Sequence, residues 1–91
     1  MEGRERGFVV CKGPHGYSKG PASVGTKSSV SVTVACPMGS RPVAIQHNHP
    51  GGDPSPSAQD YRTVRQFNIP YICVRAKGRT RCYPARRDRG A

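Results

Sequence analysis

Tryptophan is missing from this chain, phenylalanine occurs only twice, and 34% of the residues are hydrophobic. A large core of packed aromatic rings is therefore excluded. The 91 residues leave room for one domain with a modest core, which a metal ion or a crosslink would help to hold. No apolar run approaches the ~20 residues that span a bilayer, and the opening segment MEGRERGFVV lacks the long apolar stretch and cleavage site of a secretory signal. These absences lead us to expect a cytoplasmic protein that does not engage a membrane. Acids are scarce as well. Glu2, Glu5, Asp53, Asp60 and Asp88 stand against fifteen Lys and Arg, a formal charge of +10. Any carboxylate chemistry must draw on those few groups, and the excess of cations attracts polyanions. Basic residues crowd toward the end of the chain at Arg75, Lys77, Arg79, Arg81, Arg86, Arg87 and Arg89. There they would either meet nucleic acid or an acidic partner, or form a solvated tail. Cys11, Cys36, Cys73 and Cys82 show no C-x-x-C spacing, which argues against a cysteine zinc site and makes buried thiols the default.

The apolar pattern predicts strands on either side of one helix. Gly7–Lys12 (GFVVCK) reads as a first strand, a turn follows at Gly13–Gly16, and Tyr17 opens a short return strand. Ser18–Ser29 carries little apolar signal and reads as loop. Val30, Val32 and Val34 alternate with small residues up to Ala35, the period of a strand. Val43–Gln46 is a short apolar strand, and the Gly/Pro cluster Pro50–Pro56 must be a shaped loop. From Ser57 to Asn68, Tyr61, Val64 and Phe67 recur at three-residue intervals, which predicts a helix. Tyr71–Ala76 and Thr80–Tyr83 are then strands joined by the two-residue turn Lys77–Gly78. In that register Cys73 faces Cys82 at a closely spaced position where a bridge is possible; inside a cell such a bridge would point to a hyperthermophile. The expected fold class is α/β in the mixed α+β sense: one helix, about 57–68, on a curved mixed sheet.

The chemistry concentrates in HNHPGGDPSPSAQD, residues 47–60. On an extended backbone His47 and His49 point to the same side, so their imidazoles can converge on one ion. The loop lets the chain return, and Asp60 in the first helical turn can add an oxygen ligand. Three protein ligands leave a fourth zinc position for water, whose pKa falls to about 7 there, so hydrolysis is the expected chemistry. Against this stands a plainer alternative, in which Ser57 and Asp60 form an ordinary helix capping box and the carboxylate is occupied by the Ser57 amide.

The spacing of His47, His49, Ser57 and Asp60 resembles the JAMM signature of the MPN+ (JAB domain) zinc metalloproteases, and the wording of the loop also resembles the RadC branch of that fold. The flanking chain, with Phe67-Asn68-Ile69-Pro70-Tyr71-Ile72 after a short helix, is more similar to small archaeal and phage members. The resemblance covers residues 5–83. It implies a single JAB-type domain over residues 1–84 with a basic tail at 85–91. Zinc would be held by His47, His49 and Asp60, with Ser57 donating a hydrogen bond to the carbonyl oxygen as it gains charge. The family also uses a Glu as general base, three residues before a Gly that opens the first strand. Arg4 holds that place here, with Glu5 one residue closer to Gly7 and Glu2 two residues farther away. Glu5, beside the strand start, is the expected base and Glu2 its competitor. The implied activity is a zinc metallopeptidase or isopeptidase, cleaving an amide bond at the C-terminus of a ubiquitin-like or sulfur-carrier protein. The alternative is a RadC-like or other nucleic-acid-associated module whose metal supports its fold.

Overall fold

A computed structural model of the protein describes residues 3–85. Glu2, the competitor of Glu5 as the base, and all of the basic tail except Ala85 lie outside the described residues. β1 (Arg6–Gly13), β2 (Gly16–Lys19), β3 (Ser23–Val24) and β4 (Arg41–Asn48) precede α1 (Ala58–Gln66), and β5 (Tyr71–Ala76) and β6 (Arg79–Pro84) follow it. The strands make one mixed sheet in the order β2-β1-β4-β5-β6, with β3 also paired to β1. β4 and β5 are parallel, because the helix between them carries the chain back to the starting edge. The other neighbours are antiparallel. A register shift at Val10/Cys11 breaks the β1–β4 ladder, a local device for bending a sheet. This is the small mixed α/β domain with one helix that the residue pattern predicts.

The core lies between α1 and one face of the sheet. Ile45, Val64, Ile69 and Ile72 form its buried centre, with Val32, Val34, Tyr61 and Tyr83 packed against them. Tyr61 and Val64 thus use the expected helical stripe. Phe67, expected on the same stripe, is exposed because it is the C-cap and the chain turns away there. Asn68 takes a left-handed φ of 55°. Its amide bonds to the Arg65 carbonyl and the Ile69 amide to the Val64 carbonyl, the pairing that closes a helix with an Asn or Gly beyond its end.

The stretch Val30–Ala35 is not a strand. Its burial does alternate, with Val32 and Val34 turned inward, but β1 is already paired on both sides, by β4 on one and by β2 and β3 on the other. The alternation reports a half-buried extended segment and not a hydrogen-bonded ladder. Ser18–Ser29 is more ordered than a loop, since it holds the end of β2, all of β3 and a turn in which the Thr26 amide bonds to the Ser29 carbonyl. β4 and β6 extend beyond their expected limits.

The Lys77–Gly78 turn is as expected. Both residues have positive φ, 52° and 77°, the geometry of the tight hairpin turn. It sets Cys73 opposite Cys82, and the two are bridged with their Cα atoms 3.9 Å apart. Cys11 and Cys36 form a second bridge, tying the 30–36 segment to β1. No cysteine is free, so the expectation of buried thiols is overturned.

Candidate metal centre

β4 carries His47 near its end, and the parallel pairing with β5 continues one step further, where the His49 amide bonds to the Arg75 carbonyl at 2.8 Å. His49 is therefore held in extended register with His47, and both rings turn to the helix side of the sheet. Gly7 is the β1 partner of His47. A Cβ there would lie 2.9 Å from the His47 ring and 2.8 Å from Val32, so the absent side chain is what lets the imidazole lie across β1. The loop after His49 is pinned from several sides. The Gly52 amide bonds to the His49 carbonyl, the Ser55 amide to the Asp53 carboxylate, and the Tyr83 hydroxyl to the Pro54 carbonyl.

The capping box is present, and it does not exclude Asp60 from the site. Ser57 Oγ accepts from the Asp60 amide, and Asp60 Oδ2 accepts from the Ser57 amide at 2.9 Å. The same carboxylate places Oδ1 3.0 Å from His47 Nδ1 and Oδ2 3.4 Å from His49 Nε2. A carboxylate has about four lone-pair directions, enough for both duties. Asp60 is 6% exposed and His47 5%.

Several observations bear on whether these residues fit a cation. His47 Nδ1 is buried without a hydrogen-bond partner, although Asp60 Oδ1 is only 3.0 Å away; the oxygen lies off the direction in which a ring N–H would donate. His49 Nδ1 is 3.0 Å from the Asp53 carbonyl. A carbonyl can only accept, so that nitrogen carries a proton, and Nε2 is the atom turned to Asp60. A ring nitrogen and a carboxylate oxygen turned to each other in this way are joined either by a proton on the ring or by a cation between them. The two spacings run to different oxygens, Oδ1 toward His47 and Oδ2 toward His49, so the carboxylate turns one oxygen to each ring. Two imidazoles and a carboxylate are donors a divalent ion can use, and the group whose ligand atoms converge among the described residues is Glu5, His47 and His49, with Asp60 outside it.

Glu5 completes the cluster. One carboxylate oxygen and one nitrogen of each imidazole, His47 and His49, all lie within 4.8 Å of one another. Glu5 is 8% exposed, and its backbone is clamped. Its amide bonds to the Thr26 carbonyl at 2.7 Å and its carbonyl accepts from Gly25 at 2.8 Å. On the other side Asn48 accepts from the Arg6 amide through Oδ1 and donates through Nδ2 to the Arg4 carbonyl. Asn48 therefore grips the peptides on both sides of Glu5 while standing between the two histidines. Residue reasoning passed over it as the spacer of His-x-His, although an amide side chain there was a usable signal. Gly25 and Thr26 lie in the stretch that reads as loop and carry no such signal.

Burial raises the Glu5 carboxyl above its ordinary value, the two imidazoles oppose the rise, and Asp60 adds to it. For Asp60 burial also pushes upward, but the His47 contact, the Ser57 amide and the imidazole charges outweigh it, and the net shift is downward. The carboxylates are thus driven apart, one toward holding a proton and the other toward remaining charged, a pattern that divides acid–base work from ligation. A cavity of about 160 Å³ opens beside them, walled by Ser28–Val32 on one side and by Ser57, Gln59, Thr63 and Phe67 on the other. The structure therefore brings all five candidates, Glu5, His47, His49, Ser57 and Asp60, to one place. Comparison of the chain with family models, curated proteins and solved structures finds no match.

Proposed function

We propose that this protein is a zinc-dependent peptidase or isopeptidase of JAMM type, acting on an amide bond at the C-terminus of a ubiquitin-like or sulfur-carrier protein. The observation that carries the reading is the unpartnered, buried His47 Nδ1 facing Asp60 with the Glu5 carboxylate beside it. Two imidazoles and one carboxylate suit zinc better than magnesium or calcium, which prefer more oxygen ligands. His47, His49 and Asp60 would hold it, and when bound it supplies Lewis-acid polarisation and an activated water. Glu5, biased toward protonation, takes a proton from the attacking water and returns it to the departing amine. Ser57 Oγ accepts from the Asp60 amide, so its own O–H is available to donate to the developing oxyanion. The narrow cavity favours an extended tail of small residues over a bulky side chain.

A cytoplasmic setting belongs to the same reading. No described helix is long and apolar enough to cross a membrane. With every cysteine bridged, such a cytoplasm would be that of a hyperthermophile. The test is elemental analysis of protein reconstituted with zinc, followed by cleavage of modifier fusions. One zinc per chain, lost in a His47→Ala, His49→Ala double variant together with cleavage, is expected. Equal zinc in that variant would defeat the metal assignment, and stoichiometric zinc with no cleavage of any fusion would defeat the peptidase.

A further inference from the structure

α1 covers only one face of the sheet. Cross-strand partners share a face, so the registers define the other one. Phe8, Gln46, Cys73 and Cys82 form one row across it, and Lys19, Val10, Ala44 and Tyr71 the next. Lys12 with Tyr17 and Arg41 flanks them at one end, and Arg6 with Arg75 at the other. Tyr17 is 70% exposed and Tyr71 47%, and Arg6, Lys12, Lys19, Arg41 and Arg75 are all exposed.

This face carries cations and aromatic rings without any carboxylate among the described residues. Glu5 and Asp60 lie in the metal centre on the opposite side, and Asp53 lies in the loop between the ligands. Rings and ammonium groups are also paired. Lys12 Nζ is 5.4 Å from the centre of the Tyr17 ring and Lys19 Nζ 5.0 Å from that of Phe8. Each ammonium lies over one face of its ring, so a base stacks on the face turned away from it while the phosphate meets the charge. Two hollows, of about 570 Å³ at the Tyr17–Tyr71 end and about 370 Å³ at the Phe8–Arg75 end, share Gln46. Together they make one path across the strands.

We propose that this uncovered face binds single-stranded nucleic acid, with Tyr17, Tyr71 and Phe8 as stacking platforms and Lys12, Lys19, Arg41 and Arg75 meeting the phosphates. The strand is preferred to a duplex because paired bases cannot offer their faces to rings standing on a sheet. It is preferred to an acidic protein because the exposed rings of Tyr17 and Tyr71 offer stacking surface that charge pairing alone does not use. None of the named rings and cations belongs to the candidate metal centre, although His47 and Asn48 also line the hollow at the Phe8–Arg75 end.

The experiment measures fluorescence anisotropy of the whole chain, cysteines bridged, with a labelled oligothymidylate and with a duplex of equal length. Expected is tighter binding of the single strand, weakened on the order of tenfold by Tyr17→Ala and again by Tyr71→Ala. Arg41→Ala should lower the slope of log affinity against log salt by about 0.7, the value for one phosphate on a single strand. Tyr17 stands on an exposed hairpin, so its variant keeps the test decisive if Tyr71→Ala impairs folding, which circular dichroism reports. Equal affinity for duplex and single strand unchanged by the ring variants overturns the proposal in favour of diffuse charge. Loss of binding on replacing Arg86, Arg87 and Arg89, with the ring variants silent, overturns it in favour of the tail. Binding to phosphatidylserine vesicles without binding to the oligonucleotide overturns it in favour of a lipid surface.

Discussion

Glu5 is a carboxyl group that folding places at a disadvantage. Its folded-state value lies above the ordinary 4.5 because burial disfavours the charge. A group raised in this way binds its proton more tightly in the folded chain, so its contribution to stability is present below 4.5 and is lost as pH rises through the folded value. At neutral pH the metal-free protein bears that loss. Glu5→Gln should therefore leave the metal-free melting temperature at pH 7 unchanged or higher, an advantage that disappears near pH 4, while kcat falls by ~10²-fold or more. A melting temperature lowered at pH 7, or turnover near that of the parent, would remove Glu5 as the base. Asp60 has the opposite sign. Its depressed value contributes stability above 3.8, lost as pH falls through the folded value. Asn48 acts one step away from the chemistry, through the peptides at Arg4 and Arg6. Asn48→Ala should reduce kcat by roughly tenfold or more with zinc content retained, since a base displaced by about 1 Å loses much of its efficiency. If zinc is lost in step with activity, Asn48 supports the ligands and not Glu5.

At the scale of elements, the site is assembled where β4 ends, α1 begins and β1 passes beneath them. The helix start is doubly used, because Ser57 and Asp60 cap each other while Asp60 also faces both histidines. The hairpin β5–β6 is the element most legible in advance. A turn that requires positive φ at Lys77 and Gly78 admits one pairing, and that pairing puts Cys73 opposite Cys82. Peptide mapping of air-oxidised protein should recover Cys73–Cys82 and Cys11–Cys36. Cross-pairing between the two sets would show that the register, or the docking of the 30–36 segment on β1, is wrong. That segment was the least legible. Alternating valines specify an inward and an outward side, but whether the backbone of such a segment finds a free sheet edge depends on strands elsewhere in the chain.

Over the whole molecule, charge and stability are both unevenly placed. Described carboxylates gather around the candidate metal centre, while the opposite sheet face is basic and aromatic. The core centre is small, Ile45, Val64, Ile69 and Ile72, and two bridges add to it. A cation binding only the folded form would add further stability by mass action. Zinc at a hundredfold excess over its dissociation constant should stabilise the fold by about 2.7 kcal/mol, and chelation should lower the melting temperature by roughly 10 °C or more for a domain of this size. A melting temperature indifferent to zinc and chelator would mean that the His47–His49–Asp60 cluster binds no metal in solution.

Local rules were enough for part of this. Alternation on a strand put His47 and His49 on one side, a Ser–Asp pair three apart marked the helix start, and a two-residue turn set the register of the last hairpin. Each of these depends on residues close together in the chain, where covalent geometry leaves few options. The seat for the His47 ring above Gly7, the hold of Asn48 on either side of Glu5, the Cys11–Cys36 bridge and the bare basic face of the sheet join residues that are distant in the chain. No periodicity records such contacts. They exist only because β1 pairs with β4 and because a single helix can cover one side of the sheet and leave the other open.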